Sequence, residues 1–219
     1  MIFLKKHTDF NVKDIEPMEL VIQYYLVAHD VYNDHTKYLD WNLMYNDLFN
    51  EQPKQNQELK RKFNNAIEHL EEIGFIKTDN KRVDFINMCY NKGCMYTAID
   101  FNAYKIFRLT NETVATRLSI FKMYVYLVSI MFWQPEINGK KFEGVLLGTS
   151  SAQNICNNYG ITFPTYKKYL TLLEELELLF VDHRELYFTD DTGVKILPHI
   201  YSHPKDRGQA IVFSNARIK

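Results

Sequence analysis

Several protein classes depend on residues that this sequence has in small number. Eight glycines and six prolines among 219 residues are too few for a collagen-like or linker-dominated chain. Three cysteines, Cys89, Cys94 and Cys156, cannot all pair, and their spacing matches no zinc site. The longest apolar run, 123–133, is far shorter than the roughly 20 residues that a membrane span needs. We therefore expect reduced thiols, no metal and no membrane partner.

The charge and the motif content argue against further classes. The formal net charge of −1 does not by itself indicate nucleic acid binding. The chain contains no phosphate-binding G-x-x-x-x-G-K-[ST], no dinucleotide-binding G-x-G-x-x-G and no nucleophile motif G-x-S-x-G. His199 and His203 lie four residues apart, but no acidic ligand accompanies them in a helical register. The first ten residues lack the apolar centre of a signal peptide. We expect a cytoplasmic protein that is not an enzyme and holds no cofactor.

What the sequence does contain is an internal repeat. The segments 57–77 and 160–180 align at an offset of 103 residues. In both, apolar residues recur with the spacing of one face of an amphipathic helix, which has a Glu-Glu pair near its end and a short apolar run after it. Residues 25–28 match 126–129 at an offset of 101, inside a long apolar helix. The chain is therefore predicted to contain two halves of similar construction.

Each half is also predicted to contain a short helix and a pair of strands. The short helices are expected at 40–49, with Asp40 as the N-cap, and at 150–159, with Thr149 or Ser150 as the N-cap. The predicted strands pair across short turns: 75–77 with 82–86 through the turn 78–81, and 179–181 with 185–189 through the turn 182–184, with a further strand at 142–147.

Residues 149–180 resemble the helix-turn-helix core of bacterial winged-helix proteins. The likeness is carried by the short capped helix, the Gly-Ile turn at 160–161, the threonine before the next helix, and Tyr-Leu-x-x-Leu-Glu-Glu-Leu-x-Leu at 169–178. Two such halves in one chain look like plasmid and phage replication initiators, and like DnaD-type replisome loaders, of low-GC Gram-positive bacteria. The resemblance implies an α+β fold, mainly α, with two winged helix-turn-helix domains in tandem. The predicted divisions are a first domain at 1–90, a second at 91–200 and a basic C-terminal tail at 201–219.

Two residues depart from the family pattern: Pro164, which a first helical turn tolerates, and Glu177. Glu177 stands where a glycine usually follows the second helix of the motif. A left-handed backbone suits glycine and costs free energy in a residue with a Cβ atom. We therefore expect this helix to end without a left-handed cap.

The second helix of each predicted helix-turn-helix pair supplies the candidate DNA-binding residues. The N-terminal part of that helix meets the major groove in such motifs, and the tip of the strand pair follows the phosphate backbone. Lys and Arg suit phosphates, and Asn can bond adenine edges. The candidates are Lys60, Arg61, Lys62, Asn64, Asn65, Lys81 and Arg82 in the first half, and Thr162, Thr165, Lys167, Lys168 and Arg184 in the second. The alternative is that the lysines form an ordinary solvated helix face.

The charges are unevenly distributed along the chain. Residues 1–53 carry four lysines against nine acidic residues, a net charge of −5, and residues 54–82 carry seven basic against five acidic residues, a net charge of +2. Residues 203–219 carry four basic residues and one acidic residue, a net charge of +3, which suggests a mobile basic arm. Such polarity favours a local binding surface over uniform solvation.

Double-stranded DNA is therefore the expected partner, and replication initiation of a plasmid, phage or other mobile element is the expected role. A phage-type transcription regulator is the first alternative. A winged-helix module that docks on replisome or host proteins without binding DNA is the second. Aromatic residues of the two long apolar helices, among them Tyr24, Tyr25, Tyr32 and Tyr124, exceed what one small core needs, so a homodimer is also considered.

Overall fold

A computed structural model of the chain describes residues 2–6, 16–30, 37–52, 56–80, 82–86, 95–133, 136–137, 140–141, 145–184, 187–190 and 193–217. The fold is α+β and mainly helical, which confirms the predicted class. The chain divides into two compact units, 1–122 and 123–219. This division falls within the helix Val114–Ser129, whereas the predicted boundary followed residue 90. None of the described helices has the length and apolar character that a bilayer crossing requires.

The first unit alternates helices with short strands. Its elements are β1 (Ile2–Lys6), α1 (Pro17–Asp30), β2 (Lys37–Tyr38), α2 (Trp41–Phe49), α3 (Gln57–Glu72), β3 (Ile76–Asp79), β4 (Arg82–Ile86), β5 (Met95–Ile99), a 3₁₀ helix (Phe101–Arg108) and the start of α4 (Val114–Ser129). Strand β1 pairs with β5, and β2, β4 and β3 form an antiparallel sheet in that order. The predicted hairpin β3–β4 is confirmed, with Asn80 in a left-handed conformation (φ 45°) at its turn.

The second unit contains a larger sheet and a separate hairpin. After the end of α4 come β6 (Phe132–Trp133), β7 (Glu136–Ile137), β8 (Lys140–Lys141), β9 (Leu146–Ser150), α5 (Ala152–Tyr159), α6 (Phe163–Glu175), β10 (Phe180–Asp182), β11 (Tyr187–Asp190), β12 (Gly193–Ile196), β13 (His199–Ser202), a 3₁₀ helix (Pro204–Asp206) and α7 (Arg207–Ala216). The sheet order is β10–β13–β9–β6, and β11 pairs with β12.

The predicted strand pair of the second unit is therefore wrong. Strand β10 pairs with β13, with Val181 opposite Tyr201, and not with the nearer β11. Burial explains the choice: Ile200 and Tyr201 are buried, whereas Tyr187 is 48% exposed. The apolar area that β13 removes from water stabilises the longer-range pairing. Of the strand expected at 142–147, residues 142–144 lie outside the described residues, and the described strand β9 spans Leu146–Ser150.

The helix pair and the three strands around it follow the same order in both units, although the second unit has the hairpin β11–β12 between β10 and β13. In each unit, one strand precedes the helix pair and another follows it. The last of the three strands lies between these two, which gives the orders β2–β4–β3 and β9–β13–β10. The offset of 103 also holds in the core, where Phe63 and Leu70 of α3 are buried like Tyr166 and Leu173 of α6.

The helix ends of the motif are set by side chains and by left-handed residues. Asp40 Oδ1 accepts hydrogen bonds from the backbone N–H groups of Asn42 (2.8 Å) and Leu43 (3.3 Å), as predicted for this N-cap. Helix α5 is capped by Ser151 and not by Thr149 or Ser150, because those two residues belong to β9.

The expectation for Glu177 is also wrong. Glu177 adopts a left-handed φ of 57°, close to the 67° of Gly74 at the equivalent end of α3. The hydrogen bonds are the same at both ends: Phe75 N–H donates to Leu70 C=O, and Leu178 N–H donates to Leu173 C=O. Both helices thus end in a Schellman motif, although one of them lacks the glycine that makes it favourable.

Residues 201–217 of the predicted tail are folded, and residues 218 and 219 lie outside the described residues. The folded residues include the end of β13 and helix α7, on which Ala210, Phe213 and Ser214 are buried. Ala210 and Phe213 share an apolar cluster with Val145, Leu147 and Ile200. The sequence indicated a tail because charged residues surround the short apolar stripe of α7. This stripe is buried only when it packs against the sheet of the second unit.

Candidate nucleic-acid interface

The N-terminal half of helix α3 presents cations and amides to solvent. Asn56 caps its N-terminus by accepting a hydrogen bond from Leu59 N–H (3.1 Å). Leu59, Phe63, Ala66 and Leu70 are buried, so the helical period leaves the opposite side exposed. The exposed residues of its N-terminal half include Lys60, Arg61, Asn64 and Asn65.

The charges on this face differ in their freedom. Lys62 lies 3.4 Å from Glu58 in an i,i+4 ion pair and is partly buried. Lys60 and Arg61 have no ion-pair partner among the residues that the structure describes. Two cations and two amides can therefore meet an anionic, hydrogen-bonding partner without first breaking an ion pair.

The hairpin β3–β4 is hydrogen-bonded to the C-terminal end of α3. Glu71 Oε1 accepts hydrogen bonds from the backbone N–H of Thr78, at 2.8 Å, and from the hydroxyl of Thr78. Arg82 is exposed beside this hairpin turn, opposite Asp79. The predicted candidate Lys81 lies outside the described residues.

An equivalent hydrogen bond from a glutamate side chain to the following strand occurs in the second unit. Glu174, 103 residues after Glu71, accepts a hydrogen bond from the backbone N–H of Val181 at 3.3 Å. Its other oxygen, Oε2, lies 2.7 Å from His183 Nε2. A glutamate at this point in each repeat thus joins the second helix of the pair to the strand that follows it.

Helix α6 presents a face of similar placement and different chemistry. Tyr166, Tyr169, Leu170 and Leu173 are buried. Its exposed residues are Phe163, Pro164, Lys167, Lys168, Thr171 and Glu175. Lys167 Nζ lies 4.8 Å from the centroid of the Phe163 ring.

Thr162 and Thr165 form hydrogen bonds with each other at the N-terminus of α6. Thr162 is the N-cap, and its Oγ1 accepts a hydrogen bond from Thr165 N–H at 3.4 Å. The two hydroxyl groups lie 2.9 Å apart in a further hydrogen bond. Their structural role is therefore helix capping, and a contact with a base would have to be added to it.

Arg184 is placed differently from the prediction. It follows β10 and is not at a hairpin tip, because β10 pairs with β13. Arg184 donates to Asp182 Oδ1 (2.8 Å) and Oδ2 (2.7 Å) and to Asn215 Oδ1 (2.9 Å) of α7. Burial alone would raise the pKa of Asp182, but hydrogen bonds from Arg184 and Ser214 outweigh it and lower this pKa to about 2. Arg184 thus stabilises the second unit internally.

A pocket of about 630 Å³ lies between the end of α6, β10 and α7. Its wall combines acidic residues (Glu174, Glu177, Asp182), basic residues (His183, Arg184, Arg207) and apolar side chains. Arg207 is stacked on the Phe180 ring at 5.3 Å. Within the part of the chain that the structure describes, no group of His, Cys, Asp and Glu could hold a metal ion.

Sequence reasoning missed Phe163. It is not among the candidate residues of the sequence analysis, yet it is 50% exposed at the N-terminus of α6. Phe163 lies three residues before Tyr166, the first core residue of the helix, and is not part of the repeating apolar set shared with α3. This position was the signal in the sequence that the Phe163 ring is exposed. Comparison of the chain with protein-family models, with curated proteins and with solved structures gives no match.

Proposed function

We propose that the protein is a non-enzymatic, double-stranded DNA-binding protein built from two winged helix-turn-helix domains. The order of helices and strands in each unit supports this assignment, since each has a helix pair followed by a strand that joins a three-stranded arrangement. In that arrangement α3 and α6 are the helices that enter the major groove.

The observation that carries the proposal is the exposed face of α3. Lys60 and Arg61 provide positive charge for phosphates, and Asn64 and Asn65 provide amides of the kind that bond adenine edges. A solvated helix face with no partner would need only charge for solubility. Helix α6 adds Lys167 and Lys168, which are exposed in the same part of the second unit.

The biological role within this proposal is replication initiation of a mobile element, on the strength of the resemblance to tandem winged-helix initiators. Transcription regulation would use the same surfaces. Docking on replisome or host proteins without DNA is the competing function, and the net charge of −1 is consistent with it.

A homodimer on DNA is part of the proposal without support from the helical aromatics. Tyr24, Tyr25 and Tyr124 are buried within the chain, so they do not offer an exposed dimer surface. Tyr32 lies outside the described residues.

Charge reversal on each helix tests DNA binding. A labelled 30-base-pair random-sequence duplex is titrated at low salt with the wild type, with K60E/R61E and with K167E/K168E, and anisotropy is recorded. Each double reversal is expected to weaken binding at least tenfold, because contacts with phosphates become repulsions. Circular dichroism should show unchanged folding, since all four residues are exposed.

The matched control is K105E/K205E, which changes the net charge by the same amount away from α3 and α6. It is expected to weaken binding far less than either helix variant. Equal losses in all three variants would mean that only bulk charge matters. If the wild type has no affinity for the duplex at low salt, protein docking becomes the better account.

A further inference from the structure

Phe163 is an exposed aromatic residue that is nevertheless held in position. Half of its surface (50%) is open to solvent, although rings of this size are usually buried. Its ring lies 5.9 Å from that of Tyr166, at an interplanar angle of 28°, and Lys167 Nζ lies 4.8 Å from its centroid. The N-cap Thr162 and the proline at position 164 restrict the backbone of the same turn. The ring is therefore presented to solvent with little conformational freedom.

The fold does not require an aromatic residue at this position. The offset of 103 residues that superimposes Phe63 on Tyr166 and Leu70 on Leu173 places Phe163 on Lys60. Lys60 is exposed, and the core of the first unit is complete without an apolar side chain there. The aromatic ring thus distinguishes the solvent face of α6 from that of α3. Exposing its apolar surface to water is unfavourable, and the fold by itself does not explain why an aromatic residue is present there.

We infer that Phe163 contacts the 5-methyl group of thymine in the major groove and makes α6 selective for A·T pairs at that position. This inference rests on the proposed function. The thymine methyl is the apolar group that the major groove exposes, and Phe is among the side chains that contact it. Lys167, beside the ring, and the exposed Lys168 of the same helix would complement the charge of the DNA backbone.

The test compares two duplexes that differ only in this methyl group. One is recovered by the wild-type protein from a random library at low salt, and the other is its copy with deoxyuridine in place of every thymidine. The wild type is expected to bind the thymidine duplex roughly fourfold more tightly for each methyl group that the ring covers, which is the effect of burying one such group. Phe163→Ala is expected to bind the two duplexes equally, and Phe163→Leu to keep part of the preference.

Phe101→Ala is the matched control, because Phe101 is an exposed ring (42%) in the first unit, on an element other than α3. It should keep the full preference for thymidine. A wild type that binds both duplexes equally overturns the inference and leaves DNA binding intact. A preference that survives in Phe163→Ala, with the variant folded by circular dichroism, also overturns it, because another residue then contacts the methyl group. Failure of the library to yield any duplex refutes the proposed function itself.

Discussion

At the scale of single residues, the backbone at Glu177 has the clearest energetic cost. A left-handed conformation costs a non-glycine residue on the order of 1 kcal/mol or more. Glu177 adopts it (φ 57°) because the Schellman bonds of α6 and the burial of Leu178 and Leu179 require the chain to turn there. Gly74 makes the same turn in the first unit without that cost.

Exchanging the two residue types should therefore change stability in opposite directions. Glu177→Gly is expected to raise the free energy of unfolding of the second unit by about 0.5–1 kcal/mol, and Gly74→Ala to lower that of the first by about 1 kcal/mol. Urea titrations followed by circular dichroism measure both changes.

Gly208→Ala separates this backbone effect from a general effect of glycine. Gly208 lies within α7, its φ is negative, and an added Cβ would meet no atom within 4 Å. Alanine is expected to stabilise there by up to about 1 kcal/mol, because it is the better helix former. If Gly74→Ala is as stabilising as Gly208→Ala, the left-handed turn is not the source of the cost.

At the scale of elements, the second helix of each pair is attached by the same core position. Leu70 of α3 and Leu173 of α6 are both fully buried, at 0% exposure. Each is followed by a glutamate that accepts a hydrogen bond from the next strand, Glu71 from Thr78 and Glu174 from Val181. The repeat is thus a repeat of packing and of polar attachment.

Leu70→Ala and Leu173→Ala should each lower the free energy of unfolding by about 2–5 kcal/mol, as truncations of buried leucine do. Thermal and urea unfolding of the two variants measure the loss. Leu43→Ala is the control, since Leu43 is 54% exposed on α2, and its expected cost is well below 1 kcal/mol. A similar cost at all three positions would show that the two leucines are not equivalent core residues.

Element pairing also shows how far periodicity can be taken. The hairpin β3–β4 was predictable because its strands are neighbours with a short polar turn. The pairing of β10 with β13 was not, because the hairpin β11–β12 lies between them in sequence. A local pattern cannot state which of three strand-like runs will bury its side chains.

At the scale of the whole molecule, a net charge of −1 means that the proposed affinity for DNA would have to come from local surfaces. The acidic N-terminal 53 residues would oppose a polyanion if the charge were spread evenly. In the proposed complex, the exposed cations of α3 and α6 would offset this repulsion.

The salt dependence of binding should report the number of these contacts. With Lys60, Arg61, Lys167 and Lys168 at phosphates, a plot of log K against log salt is expected to have a slope of about −3 to −4. Lys167→Gln should make the slope shallower by about one unit and weaken binding to all duplexes alike. A slope near zero in the wild type would contradict phosphate contacts on these helices.

By itself, the sequence determined the repeat, its offset, the second helix of each pair and the exposure of Lys60, Arg61, Lys167 and Lys168, because helical periodicity and capping are local properties. Only the tertiary structure decided the partner of β10, the folding of 207–216 as a helix, the left-handed turn at Glu177 and the hydrogen bond from Arg184 to Asn215 of α7. Each of these depends on which apolar surfaces meet across long distances in the chain. The free energy gained by burying these surfaces outweighs the local conformational preference of the chain. It cannot be read from any short stretch of neighbouring residues.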